Sequence, residues 1–193
     1  GDGALLNSNA AANTALGSNT LQHTSGRFNT AVGNNSMRGT SIAGGNGNEN
    51  VAVGYRSLFN ITNGNSNTCL GSFAGGSLTT GSNNVLIGRN AEDDNANPQN
   101  CVAVGAFAEV DGVNRIAIGY QATTTADNQV VIGNSSITEN LFSGTVSATD
   151  YRQAGTAGTI LKTAGGNLYA GVSAGAALTT GDDNVLIGDG AGS

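Results

Sequence analysis

The sequence predicts an all-β parallel solenoid, and three observations lead to this prediction. A short apolar motif ending in glycine, such as NTALG or NVAVG, recurs nine times in 193 residues. The first eight motif glycines follow one another at intervals of 14 to 21 residues. No segment shows the 3.6-residue apolar period of a helix. Such short intervals suit one solenoid coil built from two short strands and two turns.

The apolar residues of each motif predict a strand that is buried on both faces. A large aliphatic residue precedes the glycine, and Thr or a β-branched aliphatic residue lies three positions before it. Successive side chains of a strand face opposite sides, so a strand that is apolar at every position has two faces to bury. The aliphatic residues before the glycines are assigned as the repeat core: Leu16, Val32, Val53, Leu70, Ile87, Val104, Ile118, Ile132 and Ile187.

The motif glycines are predicted to turn the chain at the end of each strand. Glycine enters sharp or left-handed turns that a Cβ atom would resist. A Ser, Thr or Ala lies three residues after the glycine, as in SNTL and YRSL, and predicts a second, shorter strand. The structural glycines are Gly17, Gly33, Gly54, Gly71, Gly88, Gly105, Gly119, Gly133 and Gly188.

A coil with two short strands has a thin interior that cannot hide both faces of a motif such as VAV. The second face therefore needs another surface, which neighbouring chains would supply. We expect an obligate homo-oligomer, and a three-fold rod is its simplest closed arrangement.

The repeats divide the chain into three predicted regions. Residues 1–137 carry the solenoid repeats, and residues 138–171 lack the motif and are expected to form a short β neck or connector. The segment AGGSLTTGSNNVLIG at 74–88 returns as AGAALTTGDDNVLIG at 174–188, so residues 172–193 are predicted to begin a second solenoid. Because both ends lie in repeat-like sequence, we expect the chain to be a piece of a longer fibre.

Composition excludes several kinds of partner. The formal net charge is −6, so there is no basic surface to neutralise nucleic-acid phosphates. No apolar run approaches the roughly 18 residues of a membrane span, and membrane insertion is not expected.

Two cysteines, Cys69 and Cys101, make no disulfide framework and are predicted to be small buried or half-buried thiols.

Enzymatic and metal-binding signals are outweighed by simpler interpretations. GVSAG at 171–175 matches the nucleophile elbow with Ser173, but no helix follows, and the duplicated copy has Phe73 at that position.

GGNGNENVA at 44–52 approximates one calcium-binding nonapeptide, which needs consecutive copies. The acidic residues Glu92, Asp93 and Asp94 are candidate ligands for a hard cation, although a solvated loop is the preferred interpretation. We therefore predict no enzyme, no metal and no cofactor.

Aromatic and arginine residues near the third motif are the candidate surface-binding residues, because these types are favoured at binding hot spots. They are Tyr55, Arg56 and Phe59, with Phe107 and Tyr120 later in the chain. Packing against a neighbouring chain is the alternative for most of them.

The units NVAVGYRSL and NRIAIGYQAT resemble the head repeat of YadA-like trimeric autotransporter adhesins, over about residues 10–137 and again over 172–193. Similar repeats occur in phage tail fibres and receptor-binding fibres. The resemblance implies a left-handed parallel β-roll with three chains around one axis.

Host-cell attachment as part of a viral tail or receptor-binding fibre is the function that the resemblance implies. The connector after VVIGNSS and the return of the repeats favour this over the alternative, the head of a bacterial adhesin. A self-assembling extracellular filament is a third hypothesis. The expected partners are two further copies of the chain, other fibre or virion proteins, and a cell-surface receptor, with a glycan as one candidate. The expected location is the virion or, alternatively, the cell surface.

Overall fold

A computed structural model describes residues 2–5, 12–23, 25–39, 47–92, 97–137, 162–164, 167–170, 185–188 and 191. The chain divides into two compact units, Gly1–Glu139 and Asn140–Ser193. The described residues contain strands, bridges and turns but no helix, so the predicted all-β class is confirmed for them. Accordingly, none of them forms a helix that could cross a membrane.

The first unit is a parallel β-solenoid in which each repeat motif forms one short strand. Eight strands of three residues pair in sequence order to make one parallel sheet. The register places each motif on the next, for example Ala31 on Ala52 and Ala52 on Cys69. The strands are β1 Thr14–Leu16, β2 Thr30–Val32, β3 Val51–Val53, β4 Thr68–Leu70, β5 Val85–Ile87, β6 Val102–Val104, β7 Ile116–Ile118 and β8 Val130–Ile132.

The interior of the solenoid takes the central residue of each strand. Ala52, Cys69 and Leu86 are fully buried there. The facing side is closed by the residues three and four positions after the motif glycine, such as Ser57 and Leu58. A small residue faces a large one across this interior at Leu86, the largest central residue of the buried strands. Leu86 faces Gly75, where an added Cβ would lie 3.1 Å from a methyl group of the leucine. The narrow core is therefore filled by pairing small residues with large ones.

In the first five coils the predicted second strand is replaced by a turn, whereas Glu109 and Thr123 of the next two coils pair in a parallel bridge. The small residue is buried as expected, but the residues on either side of it adopt left-handed backbone conformations, as at Arg56 (φ 55°) and Leu58 (φ 48°). Alternating left-handed residues cannot form an extended strand, since a strand needs negative φ. Successive turns still bond to each other, for example from the Leu58 N–H to the Ala74 carbonyl at 3.0 Å.

The motif glycines occupy the backbone position that was predicted for them. Gly54 has φ 138°, and Gly17, Gly71 and Gly105 have similar values. A Cβ built on Gly54 would collide with the carbonyl oxygen of Gly71, its counterpart in the next coil. Glycine is therefore required for two reasons: it can adopt this backbone angle, and it leaves room for the next coil to stack closely.

The aliphatic residues assigned as the repeat core in strands β1 to β8 do not fill the interior of the coil; the side chain of Ile187 lies outside the described part of the chain. They lie on the outer face of the sheet, where Leu16 is 65% exposed and Val53 37% exposed. In a three-residue strand the central side chain points opposite to its two neighbours. The turns enclose the central side chain, so both larger neighbours point outward. Their burial between chains stays a prediction.

The second unit contains a three-stranded sheet. Strands β9 Lys162–Ala164 and β10 Asn167–Ala170 are antiparallel, and β11 Val185–Ile187 pairs in parallel with β10. The duplicated NVLIG motif thus forms a strand in both units, as β5 and β11. The short strands expected in LFSGTVSAT, at 141–149, lie outside the described residues.

Candidate interaction surfaces

The outer sheet face is an apolar candidate interaction surface of the first unit. We define it as the first and third residues of strands β1 to β8. Every third residue is Leu, Val or Ile, and every first residue is Thr, Val or Ile. Ile118 is 40% exposed and Ile132 46% exposed, while the strands in the middle of the sheet are half-buried by their neighbours. No charged side chain interrupts this face from Thr14 to Ile132.

An asparagine ladder runs beside strands β1 to β5, one residue before each of them, and is buried from Asn29 to Asn84. Asn50 donates through Nδ2 to Asn29 Oδ1 at 3.2 Å, and Asn67 donates to Asn50 Oδ1 at 3.0 Å. Each Nδ2 also reaches a carbonyl in the following coil, such as Gly64 for Asn50 and Gly81 for Asn67. The ladder satisfies polar groups that are shut away from water, and it fixes the register of the coils.

Sequence reasoning missed this ladder because asparagine in turns already had a sufficient local explanation. The signal was present: Asn lies four residues before the motif glycine in the first five motifs and becomes Cys101, Arg115 and Gln129 in the next three. Cys101 ends the ladder by donating its backbone N–H to Asn84 Oδ1 at 2.9 Å. A polar residue at one fixed phase of a repeat therefore indicated a buried column.

Arginines and aromatic rings from stacked turns meet along one edge of the solenoid. We call this set the arginine–aromatic edge. The ring of Tyr55 packs edge-to-face on Phe73, with ring centroids 5.2 Å apart. The guanidinium of Arg56 lies 4.8 Å from the Phe59 centroid. A second group follows on later coils: Arg89, Phe107 and Tyr120.

The structure thus brings together the predicted candidates Tyr55, Arg56 and Phe59, and adds Phe73 and Arg38. Phe73 follows Arg56 by 17 residues, which is one coil, and its N–H donates to the Tyr55 carbonyl at 2.8 Å. A reading of single motifs did not join these residues because their proximity depends on coil register. Arg56, Phe59, Asn60, Phe73, Gly76 and Ser77 line a pocket of about 280 Å³.

Glu92 is not in a solvated loop, which corrects the interpretation preferred from the sequence. Its side chain is buried and accepts a 2.7 Å hydrogen bond from the Val110 N–H. Asp93 and Asp94 lie outside the described residues, as does Ser173. Within the described ranges, no group of three or more His, Cys, Asp or Glu residues could hold a metal ion.

The two cysteines are free and buried, as predicted for small thiols. Cys69 occupies a central strand position that is alanine in β1, β2 and β3. Burial raises the pKa of the Cys69 thiol, and burial also raises the pKa of Cys101. Both side chains therefore stay protonated at neutral pH and are poor nucleophiles.

Comparisons with protein-family models, with curated proteins and with solved structures found no match to this chain. The case for a function therefore depends on the surfaces themselves and on the resemblance of the repeats.

Proposed function

We propose that the chain is a segment of a non-enzymatic homotrimeric fibre, a viral tail or receptor-binding fibre that attaches to a host cell. The outer sheet face is the observation that carries the proposal. Exposed apolar patches of this continuity are typical of protein interfaces rather than of free surfaces. Three copies around one axis would bury the face on each chain, since a closed ring leaves none exposed.

The parallel stacking of coils supports a role as a shaft or head. Each coil contacts mainly its neighbours, so the protein extends by adding units and places side chains at regular intervals. The viral assignment draws on the resemblance of the repeats to fibre sequences and on the return of the NVLIG motif after a connector. The same resemblance favours a bacterial adhesin head as the second candidate.

Light scattering on the purified chain tests the assembly. The expected mass is three times the 19.0 kDa of one chain. A monomeric mass at micromolar concentration would overturn the trimer, and a mass that grows with concentration would indicate a filament.

Immunogold labelling tests the biological role. An antibody raised against the chain should decorate the fibres of virus particles from the source culture. If the antibody labels the bacterial envelope and leaves the virus particles unlabelled, the adhesin is favoured instead.

A further inference from the structure

We infer that the pocket on the arginine–aromatic edge binds a sugar that carries a carboxylate, such as a uronic or sialic acid. The inference rests on the proposed attachment function and specifies the class of receptor that one site would take. The pocket is built by two stacked coils, with Arg56 and Phe59 from one and Phe73 and Ser77 from the next.

The positive charge of Arg56 is not neutralised within the described part of the chain. The ion pair between Arg115 and Asp127 is the one formed there, and no carboxylate lines the pocket. The buried Nε–H of Arg56 also has no hydrogen-bond partner among the described residues. A guanidinium recognises a planar carboxylate through two parallel hydrogen bonds, so its terminal N–H groups suit a carboxylate ligand.

Aromatic rings hold this guanidinium in place. It lies 5.5 Å from the centroid of Tyr55, 4.8 Å from that of Phe59 and 5.9 Å from that of Phe73. Three cation–π contacts favour this position of the guanidinium before any ligand binds. Phe59 and Phe73, the two rings that line the pocket, offer apolar surface to the C–H face of a pyranose.

Size and polarity favour a sugar over other anions. A volume of about 280 Å³ is just below the usual range of ligand sites, which suits one or two sugar rings rather than a peptide. Asn60 lines the pocket, and its side-chain amide is a group that can pair with sugar hydroxyls. One arginine matches the single charge of a carboxylate better than the double charge of a phosphate monoester.

Nuclear magnetic resonance titration of the intact chain with two acidic probes tests the site. The probes are trigalacturonate and sialyllactose, and their uncharged controls are the methyl ester of trigalacturonate and lactose. We expect at least one acidic probe to bind and its uncharged control to bind at least about tenfold more weakly, since a charge-assisted hydrogen bond is lost. Failure of both acidic probes to bind at millimolar concentration, or equal binding of the controls, would overturn the inference.

Paired arginine variants assign the site. Arg56→Gln should weaken binding about tenfold or more, whereas Arg27→Gln makes the same charge change at an exposed arginine outside the pocket and should leave binding unchanged. Equal effects of the two variants would show general charge attraction and contradict the inference. Phe73→Leu keeps an apolar side chain and should also weaken binding; unchanged affinity would contradict the role given to the ring.

The mass of the chain, measured on the same samples, separates the two proposals. A trimer that binds no acidic sugar would support the fibre proposal and contradict the sugar-binding site. A monomer that binds an acidic sugar through Arg56 would support the site and contradict the trimer.

Discussion

The side-chain oxygen of Asn67 accepts two hydrogen bonds from Asn84, one coil further along the solenoid. The donors are the backbone N–H of Asn84 at 3.1 Å and its Nδ2 at 2.9 Å. Asn67 is itself fully buried and donates to Asn50 and to the Gly81 carbonyl. One side chain therefore connects three coils.

Asn67→Ala should lower the thermal midpoint of unfolding. It leaves the Asn84 N–H without its acceptor in a buried site, and each such group costs about 1–3 kcal/mol. Thermal unfolding at fixed chain concentration measures the loss, and hydrogen exchange should show faster exchange of the Asn84 amide. Asn34→Ala is the control, because Asn34 is exposed and the bond to its backbone carbonyl is kept. Similar midpoints for the two variants would contradict a stabilising ladder.

Gly54→Ala should disrupt the stacking of coils. The new Cβ would overlap the Gly71 carbonyl oxygen, and φ 138° is strained for alanine. Strained backbone alone costs about 1–3 kcal/mol, and the overlap adds to that cost. Gly39→Ala is the milder reference, since φ 68° lies in the left-handed region that L-residues can adopt and the nearest atom to its Cβ would lie 3.4 Å away. Denaturant unfolding should show a clearly larger loss of stability for Gly54→Ala; equal losses would contradict the requirement for glycine at position 54.

Val53→Asp should prevent assembly while leaving the coil folded. Val53 lies on the outer sheet face, so the single chain tolerates a carboxylate there, whereas an interface between chains would bury it without a partner. An uncompensated buried charge costs about 3–5 kcal/mol. Light scattering should report monomers, and circular dichroism should be unchanged.

Val113→Asp is the matched control for assembly, because Val113 is 40% exposed but is not part of the outer sheet face. It should remain trimeric. A normal trimer from Val53→Asp would place the interface elsewhere.

Cys69 should resist thiol reagents in the folded protein and should make stability fall at alkaline pH. Burial raises its pKa above the ordinary 9.0, so above pH 9 the unfolded chain loses a proton that the folded chain keeps. Stability is therefore complete below that pH and declines as the pH rises further.

Unfolding between pH 7 and pH 10 measures this slope. Cys69→Ala, the residue found at this position in β1 to β3, should reduce the slope at a cost of about 1 kcal/mol for the lost packing. If the slope is unchanged, the stability lost at alkaline pH is due to other groups, Cys101 among them.

The positions of the nine motif strands could be read directly from the sequence, whereas β9 and β10 carry no motif and their positions were not predicted. Thr or an aliphatic residue flanks a smaller or equally apolar one before each glycine, and all nine motifs form strands that end one residue before it. The intervals between glycines also gave the coil length, since a parallel register places each motif on the next. These features depend on local preference and on repetition, both of which are written in the chain.

Which side of each strand faces inward was decided only by the tertiary structure. Both faces are apolar, so periodicity could not choose between Ala52 and its neighbours Val51 and Val53. The choice is made by the turn after Gly54, where left-handed residues replace the predicted second strand and fold Ser57 and Leu58 over Ala52. The proximity of Arg56 to Phe73 has the same origin, because contacts between coils follow from register rather than from local sequence. The sequence by itself thus determined the strand motif and its repeat, and closure of the coil determined the interior, the outer face and the pocket.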